Sequence, residues 1–245
     1  MKITEIETPS GQVFFHDDLE LLKLMAKYGF IRQSDQPFEL KSGILSHVYV
    51  YGREDVTDNP ELEWLIGRKI AKLIIETSEP LDNQPCLIGI PSAGTALAQA
   101  AAMVSFREQI MPNGYFICHR VMVMKKTFMK EALKKHGAHP KWVNGEPRPN
   151  LHTYWTVDNV VTDGATKIET NERLRASGYP VETIPSFILV DRQQGGVKRM
   201  EQAGFKRIVV AFYLLDLAFA MGEIKNWPKS VVRLVEEEIK AHQFL

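Results

Sequence analysis

Little in this sequence is in excess, and each shortage removes a class of protein. Two cysteines in 245 residues, Cys86 and Cys118, are too few for a disulfide-stapled scaffold. Both fall in apolar runs that read as buried strands, which favours core thiols over a disulfide or a metal site. Neither sign of charge dominates: 30 Lys and Arg balance 30 Asp and Glu, so the whole molecule has no electrostatic pull toward nucleic acid or an anionic membrane. No apolar run is long enough to cross a bilayer, and the longest, Ile208 to Met221, is interrupted by Asp216. The first residues, Met1-Lys2-Ile3-Thr4-Glu5-Ile6-Glu7, lack the basic-then-apolar order of a secretory signal. The expectation is a soluble, cytoplasmic protein without internal repeats. Its 44% apolar content suffices for a substantial core.

What is present is organised around Tyr154 to Lys167. An apolar strand runs into Asp158 and Asn159, then a small turn (Thr162, Asp163, Gly164, Ala165), then a helix beginning near Thr166. Glycine lets the backbone approach a ligand, hydroxyls donate, and a helix N-terminus offers unpaired N–H groups with partial positive charge, so the turn suits a phosphate. The neighbouring carboxylate suits sugar hydroxyls or a magnesium shell. The same residue types also make ordinary turns and caps, and the motif alone leaves that reading open. A second unit of this kind runs from Cys86-Leu87-Ile88-Gly89-Ile90 through Pro91-Ser92-Ala93-Gly94-Thr95 into an alanine-rich helix over 96–106. Two such turns on one parallel sheet lie at the strands' C-terminal edge, where open α/β sheets bind ligands.

The remaining periodicities predict helices over 18–28, from Pro60 onward, over 197–203 and over 230–241, and strands over 115–118, 187–190 and 208–212. Strands alternating with helices imply a parallel sheet. Between Arg120 and Asn150 periodicity lapses and lysines accumulate, which reads as a basic lid over a polyphosphate or as a solvated charge run.

Four separated segments together resemble the orotate phosphoribosyltransferases, within the type I phosphoribosyltransferase family. They are Phe38 to Gly43 with Ser46, Tyr49 and Arg53; Gly89 to Gly94; Lys130 to Gly137; and Val157 to Thr166. The stretch Asp191-Arg192-Gln193-Gln194-Gly195-Gly196 is similar to one typical of the orotate branch. The resemblance implies a parallel sheet flanked by helices, with a small N-terminal hood over residues 1–60. The core that binds phosphoribosyl pyrophosphate (PRPP) would span 61–212, with a lid at about 120–150, and a helical segment over 213–245 would pack on core or hood. It implies transfer of ribose 5-phosphate from PRPP to orotate, with Mg2+ held mainly through PRPP oxygens, in a homodimer whose lid crosses between subunits.

By position, Asp158 and Asn159 would meet the ribose hydroxyls, Thr162, Asp163, Gly164, Ala165 and Thr166 the 5-phosphate, and Ser92, Ala93 and Gly94 the pyrophosphate. Lys134 and His136, with Asp158, would be catalytic, and Lys41, Thr162 and Arg192 would recognise orotate, Arg192 by gripping its carboxylate. Two departures stand out. The family's adjacent acids become Asp158-Asn159, and alignment on His136-Gly137 puts its lid arginine at Lys130 and the neighbouring lysine at Glu131, with Arg120 as an alternative source of the arginine. The other readings are the same chemistry on another base, a PRPP sensor without turnover, and, least favoured, nucleic-acid binding through the basic segment.

Overall fold

The computed structural model describes residues 4–40, 43–52, 54–123 and 142–244. The N-terminal part is two small antiparallel hairpins around a helix. Strands β1 (Glu5–Glu7) and β2 (Val13–Phe15) pair, α1 (His16–Lys27) follows directly, and β3 (Ile31–Glu39) pairs with β4 (Leu45–Val50). Asp18, in the first turn of α1, accepts the Phe15 N–H at 3.2 Å, and Leu19, Leu22 and Met25 form the buried stripe. After the single turn α2 (Glu54–Thr57), α3 (Pro60–Thr77) begins on its proline and buries Leu62, Ile66, Ile70 and Ile74, four residues apart, against the core.

The rest is a βα alternation: β5 (Gln84–Gly89), α4 (Ala93–Glu108), β6 (Cys118–Val121), β7 (His152–Val161), α5 (Ala165–Ala176), β8 (Ser186–Asp191), α6 (Gly196–Gln202), β9 (Ile208–Tyr213) and the helices α7 (Leu214–Glu223) and α8 (Ser230–Ala241). The five later strands form one sheet in the order β6-β5-β7-β8-β9, and every neighbouring pair is parallel. All six residues of β8 are buried, as a central strand covered on both faces requires.

Three local features depart from the expectations. The strand predicted over 115–118 starts only at Cys118, because the Ile117 N–H is taken by the Ser105 hydroxyl at 2.9 Å. The strand expected over 208–212 is β9, but a helix not singled out from the sequence, α7, follows it directly, and the acid of that apolar run, Asp216, is fully buried, accepting from the Ser10 N–H at 3.1 Å and from the Ser10 hydroxyl. The β1–β2 hairpin had no signal strong enough to announce it. No helix among the described residues is long and apolar enough to cross a membrane.

Candidate active site

The chain leaves β5 for β6 on one side, then returns past β5 to place β7 on the other. The connections diverge at that switch point and leave a crevice beyond the strands' C-terminal ends. A cavity of about 370 Å³ lies there, walled by Ile90 to Ala93 after β5, by Asp158 to Val160 of β7, by Thr162 to Lys167, and by Arg192. Leu40 and Tyr49 to Tyr51, from the β3–β4 hairpin and its exit, cover it. The two turns and the arginine singled out from the sequence therefore share one rim.

Asp158 is buried, and its carboxylate is held on both oxygens, one by Lys167 Nζ at 2.6 Å and the other by the Asn159 N–H at 2.8 Å. Lys167 also donates to the Val160 carbonyl. A buried ammonium in the first turn of α5 faces the positive end of the helix dipole, and the Asp158 carboxylate is what compensates it. Asn159 lines the same wall, but its side-chain NH2 donates to the Tyr51 carbonyl at 2.7 Å. An aspartate there would turn a carboxylate on a carbonyl, so the amide is required by the hairpin that covers the crevice.

In the turn after β7, Gly164 has φ +76°, a left-handed conformation that carries the chain into α5. The Ala165 N–H, which a phosphate would use, is taken by the Asp163 carboxylate at 3.1 Å, with Arg199 Nη1 3.8 Å from its other oxygen. Asp163 thus stands in the cradle as an internal anion. In the turn after β5, Ser92 and Ala93 line the cavity and Gly94 does not. Gly94 donates its N–H to Ile90, and a Cβ on it would fall 2.1 Å from the Val157 carbonyl oxygen. The turn is packed closely on β7 at this residue.

Arg192 is 2% exposed, at the end of β8, and reaches the cavity wall. Its Nη1 donates to the Val48 carbonyl at 3.0 Å, and its Nη2 to Ser46 Oγ at 2.8 Å and Glu238 Oε1 at 2.5 Å, while Nε has no partner. Glu238, on α8, also accepts from Gln194 at 2.8 Å. Of the two prongs expected to grip an orotate carboxylate, Nη2 is thus engaged by the Glu238 carboxylate and Nη1 by a backbone carbonyl. Arg120, by contrast, does not line the cavity: Nη1 donates to the Tyr179 hydroxyl and the Glu146 carbonyl, both at 2.6 Å, and the guanidinium packs over the Tyr154 ring. Lys41, Lys130, Glu131, Lys134 and His136 lie outside the described residues.

One more carboxyl stands out. Asp191, ending β8, is pushed up to about 6 by burial, opposed by the Gln193 N–H and the charge of Lys167. Sequence reasoning missed Lys167 and Glu238. Lys167 lay at the end of the central motif beside the acids, a readable signal, whereas nothing local ties Glu238 to Arg192.

A parallel sheet whose switch-point crevice joins an acid, two small anion-facing turns and a capping hairpin defines a phosphoribosyltransferase of type I. In fold, the Leishmania donovani UMP synthase structure matches 91% of this chain with a TM-score of 0.69 at 20% identity, and the chain spans 42% of that longer one. No protein-family model matches. Among curated proteins the chain is 28% identical to the orotate phosphoribosyltransferase of Nostoc sp. over 207 residues, 84% of this chain and 88% of that one. It is 31% identical to that of Synechocystis sp. over 184 residues, 75% of this chain and 80% of the other. The chain belongs to the orotate phosphoribosyltransferase family.

Proposed function

We propose that the chain transfers ribose 5-phosphate from PRPP to the ring nitrogen of orotate, giving orotidine 5′-phosphate and pyrophosphate. The observation that carries this reading is the single crevice onto which the Ser92 turn, the Thr162–Thr166 turn and Arg192 all open. A phosphorylated sugar laid across it would have its 5-phosphate at the N-terminus of α5, its hydroxyls at Asp158 and its pyrophosphate at Ser92 and Ala93. As pyrophosphate departs, positive charge develops on the ribose ring. Asp158, locked by Lys167 and the Asn159 N–H, holds a fixed negative charge beside it at no cost in reorganisation.

Among the described residues, the carboxylates lining the cavity are Asp158 and Asp163. That set is too sparse for an all-protein magnesium cage and fits an ion bound through substrate oxygens and water. Mg2+, when bound, would neutralise the departing pyrophosphate. The assembly in this reading is a cytoplasmic homodimer, as the resemblance implies. The exposed apolar side chains of Met103, Phe106 and Tyr115, near the end of α4, support a covered face.

The Arg192–Glu238 pair favours one second reading, transfer to a base without a carboxylate, because the arginine's charge is already balanced. Incubation of purified protein with Mg2+, PRPP and orotate, followed by loss of orotate's ultraviolet absorbance, tests the first. Turnover of uracil or a purine in place of orotate would establish the second. PRPP binding with turnover of no base would reject both.

A further inference from the structure

Away from the crevice, the sheet brings together the only two cysteines of the chain and a histidine. Cys86 of β5 and Cys118 of β6 are registered partners, so their side chains leave the same face of the sheet side by side. His152 of β7 is registered with Gln84, two residues before Cys86, which places it on that face too. The sulfurs and the nearest imidazole nitrogen all lie within 4.8 Å of one another, with Cys118 Sγ 4.0 Å from His152 Nδ1. We propose that Cys86, Cys118 and His152 form a binding site for a thiophilic d10 cation, Zn2+ or Cu+.

Zinc–sulfur bonds of about 2.3 Å and zinc–nitrogen bonds of about 2.0 Å at tetrahedral angles need donors roughly 3.5–3.8 Å apart. The three donors are thus within about 1 Å of the required spacing, a change that side-chain rotation supplies without moving strands. Two thiolates and a neutral imidazole match the preference of such cations for sulfur and nitrogen and would cancel the charge of Zn2+. Without an ion the two thiols share one proton: Cys118 is held below the usual range by its hydrogen bond with Cys86 and by the charge of Arg120, while the same hydrogen bond and burial push Cys86 well up, so an arriving ion must displace the Cys86 proton. Burial lowers His152, which favours the neutral ring a cation binds. Cys86 is buried while Cys118, on the edge strand β6, and His152, the first residue of β7, are partly exposed, so an ion has a way in and a fourth position is left for water.

Cys86 precedes Ile90, at the cavity, by four residues of strand, about 13 Å. An ion here would therefore take no part in phosphoribosyl transfer and would pin β5, β6 and β7 together on the part of the sheet away from the crevice. The bond between sheet edge and interior is the consequence to measure.

The experiment uses the full reduced chain loaded with Co2+ as a spectroscopic stand-in and with Zn2+ or Cu+ for stoichiometry. The expected result is a sulfur-to-cobalt charge-transfer band and one metal per chain, with Tm raised by about 5 °C at a hundredfold excess of Zn2+ over Kd. Cys118→Ser should abolish the band, and His152→Ala should weaken binding by at least about tenfold. Both positions are partly exposed, and an unshifted Tm without metal checks that the variants fold as the parent does. Absence of the band, or a Cys118→Ser chain that binds as the parent does, would overturn the proposal. Zn2+ and Cu+ are told apart by which is retained in competition with a chelator of known affinity.

Discussion

At the scale of single residues, the crevice is defined as much by its internal charges as by its openings. The Asp163 carboxylate on the Ala165 N–H is an anion placed where another anion must come. A like charge about 5 Å from a phosphate in a wet site opposes it by about 1 kcal/mol. Asp163→Asn should therefore tighten PRPP binding roughly fivefold in a calorimetric titration with Mg2+, and unchanged affinity would take Asp163 out of the phosphate's path. The Arg192–Glu238 pair makes a larger statement. Removing one member of a buried pair leaves the other uncompensated, at about 3–5 kcal/mol, whereas removing both with apolar residues of similar size is far cheaper. Glu238→Leu alone should lower the urea midpoint sharply, and adding Arg192→Met should recover much of it. Simply additive losses would mean that the two residues are not coupled. Arg192 was legible in the sequence because Asp-Arg-Gln at the end of an apolar strand is a local pattern. Glu238 lies 46 positions later on an amphipathic helix with several acids, and only folding selects which one turns inward.

At the scale of elements, the helices and parallel strands were legible because their signals are periodic and bounded: a proline starting α3, continuous apolar runs for β5, β8 and β9, a glycine before α5 and α6. What failed was local context. The start of β6 depends on a hydroxyl from α4, and α7 follows β9 with no turn residue to mark where the helix begins. The turn after β5 was seen as a ligand surface throughout, but Gly94 serves the packing of that turn on β7. Gly94→Ala would press a methyl into the Val157 carbonyl, backbone that cannot swing aside. The expected outcome is a Tm lower by about 5–10 °C, measured by thermal unfolding, with the cavity distorted. A variant as stable as the parent would mean that the turn can move off β7 without loss.

At the scale of the whole molecule, stability has a pH dependence rooted in one central strand. Asp191 keeps its proton up to about pH 6 when folded and would release it near 3.8 unfolded. Across that window the folded chain holds more protons, so its stability falls as pH rises through it, by about 2–3 kcal/mol in all. Asp191→Asn keeps an acceptor for the Gln193 N–H and carries no charge to bury. Its urea midpoint should exceed the parent's at pH 7 and coincide with it near pH 3.5. Equal midpoints at both would show that the carboxyl titrates normally. Global placement of the site was legible too, since two strand-turn-helix units on one parallel sheet must open on the same side, but the balancing charges within it were not.

The hairpin over the crevice is moored at both margins, by Asn159 to the Tyr51 carbonyl and by Arg192 to Ser46 and Val48. Peeling it back would strand a guanidinium and two carbonyls at once, several kcal/mol against the motion. The roof is therefore a fixed wall of the chamber, and substrate and product must pass along its open flank.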